Sequence, residues 1–311
     1  MKELIPKVSV VIPVFNEENS VLPLYELLLP ISKKIGGEII FVNDGSTDKT
    51  EEKLTSLRQI KIITLRRNFG QTAALLAGID NAKGKIIVTL DGDGQNDPAD
   101  IPRLIKKLNS GFDVVSGWRK NRHDPLTKRF ISKGADFLRK LILRDDIHDA
   151  GCTLKAYRSE CFDELDLYGE LHRFIPSILS WKGFLITEIP VNHLPRKHGQ
   201  SKYSLGRIIK GFIDLINVWF WYKFSSRPLH LFGGVGLLLI LAGALLTTGL
   251  TIAKFFYSVS LAEKIWPLVA FFLILAGIQL FVSGILADIA IKNYFSSPKR
   301  STYAIKKINQ S

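Results

Sequence analysis

The stretch Val88–Pro98, VTLDGDGQNDP, runs a β-branched apolar segment straight into Asp91, Asp93, Gln95 and Asp97. Oxygen-bearing side chains packed this densely repel or compete unless something cationic satisfies them. Several familiar sites fail on spacing. A calcium loop of the EF-hand type starting at Asp91 wants glycine sixth and glutamate twelfth, where this chain has Asn96 and Pro102. A dinucleotide fingerprint wants G-x-G-x-x-G after the first strand, and PVFNEEN offers no glycine. The phosphate-binding P-loop is likewise missing. What remains is an open site of a few hard oxygen ligands. It suits Mg²⁺ or Mn²⁺ whose other ligands are waters and the phosphate oxygens of a substrate.

A second chemical cluster is RKHGQSKY, Arg196 to Tyr203, which follows the strand-like FLITEIPV. Arg196, Lys197, His198, Ser201 and Lys202 bring cations and donors together on one short loop. A basic loop ahead of a membrane can simply meet anionic lipid. Gly199 and Ser201 favour instead a tight loop closing over phosphates, because charge-assisted donors are what a leaving diphosphate requires.

These residues need a frame. VSVVIPVF, GEIIFVND, KIITLRRN and KIIVTLDGD are short apolar runs ending in polar residues, and helical spacing separates them at Leu22 to Ile31, Lys49 to Leu57 and Thr72 to Asn81. Strands that are apolar throughout and alternate with helices predict an α/β domain whose mostly parallel sheet is covered on both faces. Ligands of such sheets sit beyond the carboxyl ends of the strands. Here those ends carry Asn16-Glu17, Asn43-Asp44, Arg67-Asn68 and Asp91-Gly92-Asp93. Turn and cap duty explains many such residues, and it fits STDKTEE well as a helix start, but it explains Asp91-x-Asp93 poorly.

The composition changes after Pro228. Leu229–Ala253 contains only His230 as a chargeable side chain, and Ile265–Ala287 contains none. Each run exceeds the roughly 20 residues that cross a bilayer core as a helix. A two-helix membrane hairpin over 229–253 and 265–289 is expected. Lys210, Lys223 and Arg227 precede it, and Lys292, Lys299, Arg300, Lys306 and Lys307 follow it, which places both flanks in the cytoplasm. Asp288 lies inside the second run and is expected to pair with Lys292 one turn on. Gly243 and Thr247 permit close helix packing, which leaves a homo-oligomer open.

The net charge of +13 and a pI near 9.6 call for an anionic partner. The basic residues sit beside amphipathic and membrane segments, not among base-stacking aromatics, which argues against nucleic acid. One such segment, GWRKNRHDPLTKRFISKGADFLRKLI, and a second, SLGRIIKGFIDLINVWFWYKF, read as interfacial helices, the latter with Trp219, Trp221 and Tyr222 for the aromatic belt. Cys152 and Cys161, the only cysteines, have neither CxxC spacing nor partners for a zinc site and are expected as free thiols.

PVFNEE, VNDGSTDKT, RRNFGQTAALLAGIDNAKG, LDGDGQNDP, DAGCTLKAYR and RKHGQSKYSLGR, in this order, resemble family 2 glycosyltransferases of the GT-A fold. The chain is most similar to polyprenyl-phosphate glycosyltransferases of the bactoprenol (undecaprenyl-phosphate) glucosyltransferase kind, related to dolichyl-phosphate mannose synthase. The resemblance implies a GT-A domain over 1–202, a juxtamembrane amphipathic helix over 203–228, the hairpin within 229–291 and a basic cytoplasmic tail over 292–311. It implies inverting transfer of a sugar, glucose from UDP-glucose being favoured, to a polyprenyl phosphate at a bacterial inner membrane. GlcNAc, mannose, galactose and aminoarabinose are alternative sugars, and a non-catalytic nucleotide-sugar binder is the alternative from another class. A processive polysaccharide synthase would want Q-x-x-R-W, which does not occur here.

Site roles carry over as expectations. Pro13, Asn16, Glu17, Asp44, Asp91, Gly92 and Ser201 would line the nucleotide-sugar pocket, with Glu17 near the ribose and Asp44 accepting from the base. Asp91, Asp93 and Gln95 would hold the metal. Arg196 and Lys202 would meet the donor diphosphate, and Arg119, Arg129 and Ser132 the acceptor phosphate. Asp149 takes the catalytic-base position, with capping or the holding of an arginine as its other possible jobs, while His148 and Arg158 read as structural. Relatives often carry Ala and Leu where this chain has Gly92 and Gly94, a change expected to loosen the loop.

Overall fold

The computed structural model describes residues 6–120, 140, 142–143, 147–163, 165, 167, 169–195, 205–224, 228–258, 260–261, 264–296 and 302–310. They form two units, one of residues up to Val218 together with the chain from Ser301 onward, the other spanning Trp219–Arg300.

The first unit is built on a sheet of eight strands in the order β7-β5-β6-β4-β1-β2-β3-β8. Its centre is parallel: β1 (Val8–Val14) lies between β2 (Gly37–Asn43) and β4 (Ile86–Thr89), and β3 (Lys61–Leu65) follows β2. Helices α1 (Val21–Ile35), α2 (Thr50–Thr55), α3 (Gln71–Asp80) and α4 (Ile101–Leu108) make the connections. The alternation expected from the sequence is therefore present, with boundaries within a few residues. Val10, Val11, Ile12, Ile39, Ile40, Phe41, Val42, Ile63 and Val88 are all buried, as strands covered on both faces must be.

Beyond β4 the sheet changes direction. β6 (Lys155–Arg158) runs antiparallel to both β4 and β5 (Val114–Trp118), and β7 (Ile186–Pro190) closes this side parallel to β5. Wedging β6 between two strands buries Lys155, at 2 % exposure.

The opposite edge departs from the sequence reading. Residues 292–311 were expected as a basic tail, but Ile305–Gln310 form β8, antiparallel to β3 from Lys61↔Gln310 to Leu65↔Ile305. Exposure alternates along IKKINQ with period two, which suits a half-exposed edge strand. Lys307 reaches Glu51 at 2.8 Å, Tyr303 donates to Asp80 at 2.7 Å, and the Arg66 amide donates to the Ala304 carbonyl at 3.0 Å.

The second unit contains two long helices, Pro228–Tyr257 and Trp266–Ser296, both long and apolar enough to cross a membrane. Both outrun the spans expected from composition. Glycine sets their contact. A Cβ on Gly236 would sit 2.7 Å from the Gly277 carbonyl, and one on Gly277 would sit 2.6 Å from the Gly236 carbonyl. Gly243 approaches Ile274 and Ala270 in the same way, so its smallness serves the hairpin itself, and Thr247 back-bonds to its carbonyl at 2.8 Å. Away from this seam the apolar side chains face outward, Phe255 and Phe256 at 76 % and 80 % exposure. Lys292 and Asp288 pair at 2.6 Å, as expected.

Candidate active site

The polar carboxyl ends of β1, β2 and β4 come together at one edge of the sheet, and each is fixed by its neighbours. Asn16, just past β1, is held at φ 56°, a left-handed conformation that asparagine tolerates. Its amide donates to Ser46 Oγ at 3.0 Å, and its own Oδ1 accepts from the Thr47 amide at 2.9 Å. The Glu17 amide donates to Thr50 Oγ1 at 2.9 Å, and the Glu17 carboxylate accepts from Ser20 Oγ at 2.9 Å. STDKTEE is thus a helix start, as expected, and also a clamp on the loop after β1.

Asp44, at the end of β2, is buried and accepts from the amides of Phe69 (2.7 Å) and Gly70 (2.9 Å). Burial raises its pKa, against the opposing pull of those two amides and of Arg67. Asp44 therefore shapes the loop that leads into α3, and any base it meets shares its oxygens with that loop.

Asp91 and Asp93 follow β4. Asp91 accepts from Gln71 Nε2 at 2.7 Å and is also bonded by the Thr153 hydroxyl, which in turn accepts from Asn96 at 2.9 Å. Burial, and next the charge of Asp93, push the Asp91 carboxyl up to about 6. The two carboxylates, with Gln95 beside them, form an all-oxygen donor set. Among the described residues no cluster of three or more His, Cys, Asp or Glu side chains completes a closed metal cage. The set fits a hard divalent cation that takes its remaining ligands from a substrate.

Asp97 has a different job, which resolves part of the crowding in DGDGQNDP. It accepts from the Ala99 amide at 2.9 Å as a cap and from Asn192 Nδ2 at 3.1 Å. Asp100 accepts from the Asn192 amide at 2.7 Å, and the Leu194 amide donates to the Gln95 carbonyl at 2.8 Å. The segment that leads into 196–202 is thereby pinned to the acidic loop. Arg196, Ser201 and Lys202 themselves, with Arg129 and Ser132, lie outside the described residues.

The glycines correct an expectation. Gly92 does not loosen the loop: it is buried, and a Cβ there would sit 2.4 Å from Val14 Cγ1. Gly94 has φ +71°, which a side chain would resist. Gly92 lets the loop pack tightly against the end of β1, beside Pro13, and Gly94 lets it turn.

The remaining cationic site is an ion pair. Arg119, just past β5, grips Asp149 with Nε to Oδ2 at 2.7 Å and Nη2 to Oδ1 at 2.8 Å, and its amide adds a third bond at 3.1 Å. Both side chains are largely buried, at 13 % and 6 % exposure. Glu188 of β7 accepts from the amides of His148 (2.8 Å) and Asp149 (3.3 Å) and from the His148 ring (2.8 Å). His148 also stacks on Trp118. Arg158 pairs with Asp113 at 3.5 Å.

Five participants were not singled out in the sequence: Gln71, Thr153, Lys155, His172 and Glu188. Gln71, Asp91, Thr153, Lys155 and His172 line one small cavity under the acidic loop. Lys155 Nζ donates to the Ala150 carbonyl at 3.1 Å, and burial depresses its pKa to about 8. Gln71, Thr153 and Lys155 do fall inside quoted motifs, and that was their only signal.

Residues 9–166 match the family model for glycosyl transferase family 2. The chain belongs to that family. It is 39 % identical over 316 residues to the dodecaprenyl-phosphate galacturonate synthase of Rhizobium johnstonii, covering 97 % of this chain and 93 % of the relative. To the undecaprenyl-phosphate 4-deoxy-4-formamido-L-arabinose transferase of Photorhabdus laumondii it is 35 % identical, over 98 % and 95 % of the two chains. Among solved structures, the first unit is similar to mannosyl-3-phosphoglycerate synthase from Rubrobacter xylanophilus, with TM-score 0.57, 14 % identity and 69 % and 74 % of the chains covered. Glucosyl-3-phosphoglycerate synthase from Mycobacterium tuberculosis, in complex with Mn²⁺ and UDP-glucose, gives TM-score 0.55 at 16 % identity, covering 69 % and 79 %. These likenesses establish the GT-A fold. The protein is a glycosyltransferase, and its full-length relatives are polyprenyl-phosphate glycosyltransferases.

Proposed function

We propose that this glycosyltransferase moves a sugar from a nucleotide diphosphate to a polyprenyl phosphate, with inversion at the anomeric carbon, at the cytoplasmic face of a bacterial membrane. The observation that carries the reading is the juxtaposition, in one unit, of an acidic cation-type loop at Asp91–Asp93 and a buried, pre-oriented arginine at Arg119. Donor diphosphate and acceptor phosphate each need one of these. A hairpin of lipid-compatible helices in the same chain supplies the reason for a lipid acceptor.

A divalent cation held by Asp91, Asp93 and Gln95 would neutralise charge gathering on the leaving diphosphate. Arg196 and Lys202 add fixed cations to the same oxygens. Arg119, braced by Asp149, receives the acceptor phosphate. Such a monoester is largely anionic at neutral pH, its second pKa being about 6, and so attacks without a strong base. Asp149 acts as the brace: a carboxylate bonded by an arginine on both oxygens is a poor proton acceptor.

Strand β8 supports the orientation. It pairs with β3 in the same sheet as the strands that precede the hairpin, a pairing that an even number of bilayer crossings in between permits. The flanking Lys and Arg residues favour the cytoplasm for both ends.

The sequence preference for glucose finds no support in the two relatives described, which are named for galacturonate and for formamido-arabinose. The test is a donor panel. Membranes are incubated with Mn²⁺, undecaprenyl phosphate and labelled nucleotide sugars bearing glucose, galacturonate, formamido-arabinose, GlcNAc or mannose, and then extracted. Organic-soluble, acid-labile label from one donor is expected. Polymeric label, or none from any donor, would overturn the reading.

A further inference from the structure

The segment Phe69–Thr72 ties three parts of the site together through successive residues. The amides of Phe69 and Gly70 donate to the two oxygens of Asp44, at 2.7 and 2.9 Å. Gln71 Nε2 then donates to Asp91 Oδ1 at 2.7 Å. Thr72 Oγ1 bonds His172 Nδ1 at 2.8 Å, with both groups buried. The segment has little room to shift. A Cβ on Gly45, next to Asp44, would fall 2.4 Å from the Arg67 carbonyl carbon, so the turn after β2 and the loop before α3 are in direct backbone contact.

Only Gln71 in this segment reaches the acidic loop through its side chain. A carboxylate oxygen has two lone pairs, so the bond from Gln71 leaves acceptor capacity on Asp91 while fixing where that capacity points. A neutral amide donor suits this task. It orients the carboxylate without cancelling the charge a cation needs, as outer groups around metal sites commonly do.

We infer that Gln71 is a positioning residue for Asp91, and that the Phe69–Thr72 segment sets the nucleotide-side Asp44 and the cation-side Asp91 as one unit. The inference rests on the reading of Asp91 as a cation ligand. It extends the site to a residue that touches neither substrate nor cation.

The test compares full-length wild type with Gln71→Met and Gln71→Glu in detergent. Three quantities are read: melting temperature, nucleoside-diphosphate binding in EDTA, and the Mn²⁺ concentration that half-saturates nucleotide binding. Gln71→Met keeps length but loses the donor, and its half-saturating Mn²⁺ is expected to rise about tenfold or more. Gln71→Glu keeps shape but points a carboxylate at Asp91, and it should rise further. Binding in EDTA should stay near wild type in both, while the melting temperature should fall in both and more in Gln71→Glu. A role in packing alone would move the melting temperature and leave the Mn²⁺ midpoint where it is. A Mn²⁺ midpoint unmoved in both variants would overturn the inference. Wild-type binding that ignores Mn²⁺ altogether would instead bring down the cation reading beneath it.

Discussion

Asp149 and Arg119 form a two-pronged ion pair, with bonds of 2.7 and 2.8 Å between largely buried side chains. Removing one partner of a buried pair leaves the other charge uncompensated, at a cost of about 3–5 kcal/mol. Arg119→Ala and Asp149→Ala should each lower kcat/KM by two orders of magnitude or more, and the double variant should be little worse than either. Steady-state kinetics on all three check this. Residual activity of Asp149→Asn should keep the wild-type pH profile, because the carboxylate holds an arginine and does not take a proton. A profile that loses its acidic limb would restore the base role.

The Asp91 carboxyl stands near 6, above its ordinary value of 3.8, chiefly through burial and then through Asp93. A raised folded-state pKa contributes stability that is complete below the unfolded value and is lost as pH rises through the folded one. Without divalent cation, stability attributable to Asp91 should therefore fall between about pH 4 and 6 and then level off. Asp91→Asn should flatten that part of the curve. Adding Mn²⁺ should raise the melting temperature above pH 6 and do progressively less below it. Thermal melts across pH, with and without EDTA, give the answer.

Glu188 holds the backbone of His148 and Asp149 from β7 and so sets the height of the Arg119 pair. Glu188→Ala is expected to raise KM for the polyprenyl phosphate about tenfold while leaving KM for the donor nearly unchanged. A matched loss on both substrates would mean general unfolding of that side of the sheet.

Gly277 and Gly236 meet backbone to backbone, with no room for a Cβ on either. Gly277→Leu should separate the two apolar helices and lower the melting temperature in detergent by several degrees. Gly234, where a Cβ meets nothing within 4 Å, is the control: Gly234→Leu should be silent.

The parts of the site visible in the sequence were those whose meaning is local. Asp91-x-Asp93 after an apolar strand, the polar strand ends and the two long apolar runs each declare themselves within a short window. What escaped notice depends on pairing across the chain. Lys155 looks like a surface cation in KAYR and is buried only because β6 is inserted antiparallel between β4 and β5. Gln71 reads as an ordinary first-turn helix residue until the ends of β2 and β4 are brought to it. Glu188 matters through residues forty positions earlier. β8 is short, basic and far from its partner, and nothing within IKKINQ announces β3. The loosening expected of Gly92 failed for a similar reason, since the Val14 side chain that fills its space lies on another strand.

Strand β8 also imposes an order of assembly. It is encoded after both apolar helices, so it leaves the ribosome only after they have been synthesised. Until then the outer edge of β3 is open, and the catalytic fold waits for its last strand. If the two apolar helices cross a membrane as proposed, completion of the sheet becomes a checkpoint on biogenesis: a hairpin inserted with its ends on opposite sides would leave the edge of β3 unpaired.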